Sequence, residues 1–92
     1  MTQPGSYAVV FSPAARRGMA RLPIEAATTL LEHLTGPTAD NPYRLGKPLE
    51  TPFDDVWSTR RGEYRALYTI DQYPRTITVV VVAHRRDAYR PR

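Results

Sequence analysis

The 92-residue sequence predicts an α+β domain, a helical hairpin packed on a small, mostly antiparallel sheet in the order β-α-α-β-β-β. Three features carry that prediction. Two helical patterns punctuated by proline and glycine fill the first half, and a hairpin signature surrounds Gly62-Glu63. The run Val79-Val80-Val81-Val82 is β-branched and apolar on both faces, as a central strand requires.

Residues 1–6 read as a flexible leader, since Pro4 and Gly5 break any pattern, and residues 7–92 as one domain. Residues 7–11 form a short strand. Ser12-Pro13 then starts a helix: the hydroxyl caps free amides, and proline sits where no amide donor is needed. This helix spans residues 13–21 and buries Ala15, Met19 and Leu22 before Pro23 interrupts. A second helix, residues 24–35, carries Ala27, Leu30, Leu31 and Leu34 on one stripe, and Gly36-Pro37 stops it. Residues 38–52, rich in Pro, Asn and Gly, read as an ordered loop. Strands follow over 56–60, 64–70 and 76–84, and residues 85–92 cross the end of the sheet.

Composition narrows the function. Thirteen Lys and Arg against 9 acidic residues give a formal charge of +4, which on so small a surface favours polyanionic partners. Arginine supplies every cation but Lys47, and its planar fork suits phosphate. Without cysteine there is no disulfide, thiol nucleophile or Cys-zinc site. His33 and His84 have no ligand cluster around them, so neither metal nor cofactor is expected. No signal peptide and no run of about 18 apolar residues is evident, so the expected location is cytoplasmic.

The hairpin is the most informative segment. With Gly62-Glu63 as a two-residue type II′ turn, Arg61 pairs with Tyr64, Arg60 with Arg65 and Trp57 with Tyr68. Cross-strand partners share a face with Cβ atoms roughly 5 Å apart, so Arg60 and Arg65 repel unless an anion lies between them. Trp57 and Tyr68 read as core. On a regular last strand, Ile77, Val79, Val81, Ala83 and Arg85 share one side, and Thr78, Val80, Val82 and His84 the other. Pairing Ile70 with Thr76 brings Arg85 to the face of Arg65; a one-residue slip brings His84 there instead.

Three blocks in series carry a resemblance. Arg44-Leu45-Gly46-Lys47-Pro48-Leu49, then Trp57-Ser58-Thr59-Arg60-Arg61-Gly62-Glu63-Tyr64-Arg65-Ala66-Leu67-Tyr68, then His84-Arg85-Arg86-Asp87-Ala88-Tyr89-Arg90 resemble the RelE/ParE toxin superfamily, on its RelE side, over residues 7–90. The resemblance implies the RelE-like microbial ribonuclease fold and the toxin of a type II toxin–antitoxin system. It implies a ribosome-dependent endoribonuclease that needs no metal and inhibits translation by cleaving mRNA in the A site. A cognate antitoxin that neutralises it is implied as well. The family's phosphate-stabilising arginine falls on Arg65, the arginine ending the last strand on Arg85, and the C-terminal tyrosine on Tyr89. Tyr89 or His84 then serves as acid or base, while Lys47, Arg60 and Arg61 contact RNA phosphate.

Two departures stand out. RelE proteins carry a lysine pair on the strand before the hairpin, where this chain has Trp57, Ser58 and Thr59. The related YoeB toxins use a glutamate where this chain has Lys47, which leaves the general base open. Two other readings compete: a ParE-like poison of DNA gyrase without nuclease chemistry, and a degenerate toxin that only binds its antitoxin. The retained arginines and the C-terminal block weigh against the gyrase reading.

Overall fold

A computed structural model describes residues 6–49 and 55–87 of the chain. Of the expected leader, residues 1–5 lie outside the described residues; Ser6 donates its hydroxyl to Asp40 at 2.7 Å. Strand β1 (Ala8–Phe11) runs into Ser12, whose hydroxyl oxygen accepts from the Ala15 amide at 3.1 Å and so caps α1 (Pro13–Arg21). Ala15 is buried and Met19 and Leu22 pack against the core, as the spacing predicts.

Helix α2 (Ile24–His33) buries Leu30, but Leu31, expected on the same stripe, is 43% exposed at the outer edge of the helical layer. Gly36-Pro37 does not stop the chain. Helical winding continues through a wider π-type turn, Leu34–Thr38, which contains Pro37 and buries Leu34 and Thr38. Proline lacks an amide, and a wider turn removes the need for the bond it cannot make. The expected loop over 38–52 holds a short helix, α3 (Pro42–Leu45), and a two-residue strand, β2 (Lys47–Pro48). Residues 50–52 lie outside the described residues.

Strands β3 (Trp57–Arg61), β4 (Tyr64–Gln72) and β5 (Arg75–His84) complete a five-stranded sheet in the order β1-β5-β4-β3-β2. Strand β1 runs parallel to its neighbour, β5; the other pairs are antiparallel. Ala15, Leu30 and Leu34 pack on Ala66, Tyr68, Ile77, Val79 and Val82, which defines the helix-covered face of the sheet. Alternation sends Arg65, Leu67, Val81 and Ala83 to the open face.

The β3–β4 register is the expected one, Arg61↔Tyr64, Arg60↔Arg65 and Trp57↔Tyr68. Gly62 has φ +63°, and among the described residues no non-glycine residue has positive φ, the pattern of a type II′ turn. The β4–β5 pair departs from both regular alternatives. It begins Gln72↔Arg75 and holds through Ile70↔Ile77 to Tyr68↔Val79, but past a bulge continues Leu67↔Val81 to Tyr64↔His84. Val80 is the extra residue. Ile77 and Val79 therefore share the helix-covered face with Val82 and His84, which corrects the parity expected of an unbroken strand.

Ser12 holds the bulge from across the layer. Its amide donates to the Val79 carbonyl at 2.9 Å and its hydroxyl to the Val80 carbonyl at 3.1 Å. One side chain thus caps a helix and satisfies the irregular stretch of the strand beneath it.

Candidate nucleic-acid interface

Strand pairing assembles a cationic surface on the open face. One row across the sheet runs Lys47–Ser58–Leu67–Val81, and the next runs Arg60–Arg65–Ala83. Partners in a row stand roughly 5 Å apart at Cβ and diagonal neighbours roughly 7–8 Å, which makes Arg60 the neighbour of both Arg65, opposite it, and Lys47, on its diagonal. Lys47 and Arg60 are exposed and Arg65 is half-buried, over a floor that includes the small residues Ser58 and Ala83. Three cations on a floor of small side chains can hold an anion that each alone would bind weakly.

Arg85 lies one residue past β5. Its amide donates to the Glu63 carbonyl at 2.8 Å, which extends the β4–β5 ladder by one rung and gives Arg85 the open-face position next after Ala83. Its guanidinium Nε lies 3.0 Å from the Glu63 carboxylate, and the same carboxylate oxygen is 3.9 Å from His84 Nε2. Glu63 therefore occupies the rim between the two faces. The hairpin sequence offers no sign of this role, because it depends on the β4–β5 register.

His84 belongs to the other side. It pairs with Tyr64, whose ring meets the imidazole edge-on at 5.5 Å between centroids. Both line a cleft of about 580 Å³ between α1 and the ends of β4 and β5, with Arg17, Arg21 and Asp87. His84 Nδ1 accepts the Arg86 amide at 3.2 Å. Arg61 also falls on the helix-covered side, where its charge and, above all, burial hold the pKa of His33 below the usual histidine value. The structure thus brings together Lys47, Arg60 and Arg65, adds Arg85 at the rim, and separates His84 and Arg61 from them. Tyr89 lies outside the described residues. Among the described residues no three His, Asp or Glu side chains gather as metal ligands, and no helix is long and apolar enough to cross a membrane.

Residues 9–89 match a family model described as the ParE toxin of the type II toxin–antitoxin system parDE. The chain is 37% identical over 90 residues to the toxin RelE of Mycobacterium tuberculosis, covering 98% of this chain and 93% of that protein. It is 39% identical over 84 residues to toxin RelG of the same organism, covering 91% and 97%. Among solved structures, the RelBE2 toxin–antitoxin complex of M. tuberculosis superposes with a TM-score of 0.85 at 36% identity, covering 95% of this chain and 100% of that one. The isolated E. coli RelE toxin superposes at 0.71 with 18% identity, covering 94% and 88%, a likeness of fold.

Proposed function

Because the chain belongs to the RelE/ParE toxin superfamily of type II toxin–antitoxin systems, we propose that it is a ribosome-dependent endoribonuclease that cuts messenger RNA in the A site. One observation carries the reading: Arg60 and Arg65 stand opposite each other on one open sheet face, with Lys47 beside them. A cluster of cations on one face attracts a polyanion. In the proposed step the 2′-hydroxyl attacks the adjacent phosphorus and the bond to the 5′-oxygen breaks. A 2′,3′-cyclic phosphate and a free 5′-hydroxyl result, and no metal enters. Charge grows on the non-bridging oxygens, where preorganised guanidinium groups act best; one such donor is worth about 10²–10³ in rate.

Arg65, half-buried and therefore the most constrained of the three, takes the non-bridging oxygens, with Arg60 and Lys47 alongside. Arg85 joins on leaving Glu63. His84 pairs with Tyr64 on the helix-covered side, so it is not placed to act as the base on this face. Tyr89 keeps the acid–base role in the proposal, and the ribosome orients the substrate. The partner is a cognate antitoxin, in keeping with the toxin–antitoxin complex to which the fold is similar. An acidic helical segment laid over the arginine face would neutralise it.

The test is to map 5′ ends on ribosome-bound mRNA with wild type and Arg65→Ala. Cuts within codons that disappear in the variant support the reading, and equal cutting by both rejects it. The ParE description of the matching family model favours one other reading, a gyrase poison. It predicts DNA breaks dependent on gyrase and intact mRNA in the same cells.

A further inference from the structure

Strand β2 holds its place at the sheet edge with little of its own. It is two residues long, and one of them is Pro48, which has no amide to donate. Its register nevertheless decides the side on which Lys47 stands, because a slip of one residue would turn Lys47 to the helix-covered face and Pro48 to the open one.

What fixes the segment comes from beneath. Tyr68, fully buried on β4, donates its phenol to the Pro42 carbonyl at 2.6 Å, and burial pushes its pKa up to about 12, so it remains a donor. Thr59 donates to the Leu45 carbonyl at 3.3 Å and, its one proton committed, accepts from His33 Nε2 at 2.8 Å. The Tyr43 ring meets Trp57 edge-on at 5.3 Å. Gly46 then passes directly over the phenol. A Cβ on it would collide with the Tyr68 hydroxyl and lie 2.9 Å from its Cζ and 3.1 Å from the Ser58 carbonyl oxygen. With φ −113°, Gly46 has a backbone any residue adopts. Glycine is required there for space, not for conformation.

We propose that Gly46 and Tyr68 are positioning residues for Lys47. The phenol occupies the space of a side chain at residue 46, pins α3 to the sheet, and so sets the one register that delivers the Lys47 ammonium beside Arg60 and Arg65. The inference rests on the reading of the open face as a phosphate site.

Two measurements on the full chain test it. The first reads register directly, as the cross-strand NMR signals between residues 47 and 58 in wild type, Gly46→Ala and Tyr68→Phe. These signals are expected to vanish in Gly46→Ala, where the added Cβ has no room, and to weaken in Tyr68→Phe, where the hydrogen bond that pins α3 is gone. The second is a double-mutant cycle on ribosomal mRNA cleavage with Tyr68→Phe, which removes one hydroxyl and keeps the ring, and Lys47→Ala. If Tyr68 acts through Lys47, its loss costs several-fold in the wild-type background and nothing once residue 47 is alanine; a generally weakened fold would cost the same in both. An intact 47–58 pairing in Gly46→Ala, or equal losses around the cycle, overturns the proposal. A broken pairing that leaves cleavage unchanged would instead reject Lys47 as a phosphate ligand, and with it the reading of this face.

Discussion

Arg60 and Arg65 face each other across β3 and β4, two guanidinium groups in one row on the side of the sheet that the helices leave open. Like charges directly opposite cost stability, roughly 0.2–1 kcal/mol. Arg60→Gln should therefore raise the unfolding free energy from urea titration by about that amount at low salt, with the gain shrinking as salt screens the pair. mRNA cleavage by the same variant should fall. A variant that is both less stable and as active as wild type would show that the pair serves neither role.

Glu63 holds Arg85 at 3.0 Å, but both side chains are more than half exposed, and exposed ion pairs are worth about 0–1 kcal/mol. Glu63→Gln should leave the unfolding free energy within about 0.5 kcal/mol of wild type. Removing a carboxylate from the rim of the proposed phosphate site should lower KM for ribosome-bound mRNA. A raised KM would mean that Glu63 serves the site by orienting Arg85 rather than competing for it.

The depressed pKa of His33 gives a pH prediction with a definite sign. The neutral ring is favoured in the fold, by burial first and the Arg61 charge second, so the unfolded chain binds the proton more readily. Stability is complete above the unfolded value of about 6.5 and declines as pH falls through it toward the lower folded pKa. Urea midpoints at pH 7.5 and pH 5 should differ less in His33→Gln than in wild type. An unchanged difference would assign the acid sensitivity to other groups.

Two glycines should respond oppositely to alanine. A Cβ at Gly18 would collide with the Val82 carbonyl oxygen, backbone that cannot step aside, whereas Gly36 has nothing within 4 Å. Alanine favours helix by about 1 kcal/mol over glycine, so Gly36→Ala should be neutral or stabilising. Gly18→Ala should instead destabilise by about 1–3 kcal/mol, since α1 must lift off β5. Thermal melts of the two variants decide it.

Much of this molecule was legible because the signals are local. Ser12-Pro13 starts a helix by chemistry confined to four residues, and the Gly62-Glu63 turn dictates the opposition of Arg60 and Arg65 within six. The winding through Pro37 escaped, since proline there is tolerated by tertiary burial of Leu34 and Thr38. Helix α3 and strand β2 escaped as well: neither has enough residues to show a period, α3 is held by hydrogen bonds from Tyr68 and Thr59, and β2 by its pairing with β3.

The sequence by itself determined the order of the two main helices and four main strands, the hairpin register and the cationic excess, because turn geometry, periodicity and charge need no distant partner. Tertiary structure alone decided on which face Lys47, His84 and Arg85 stand. The bulge at Val80 reverses the parity of β5 and is satisfied by Ser12, 68 positions earlier. Lys47 reaches the open face only because a buried phenol fills the room above which Gly46 must pass. A strand shows every other residue to each side, so one inserted residue or one slipped rung, set by partners far along the chain, reassigns every side chain that follows.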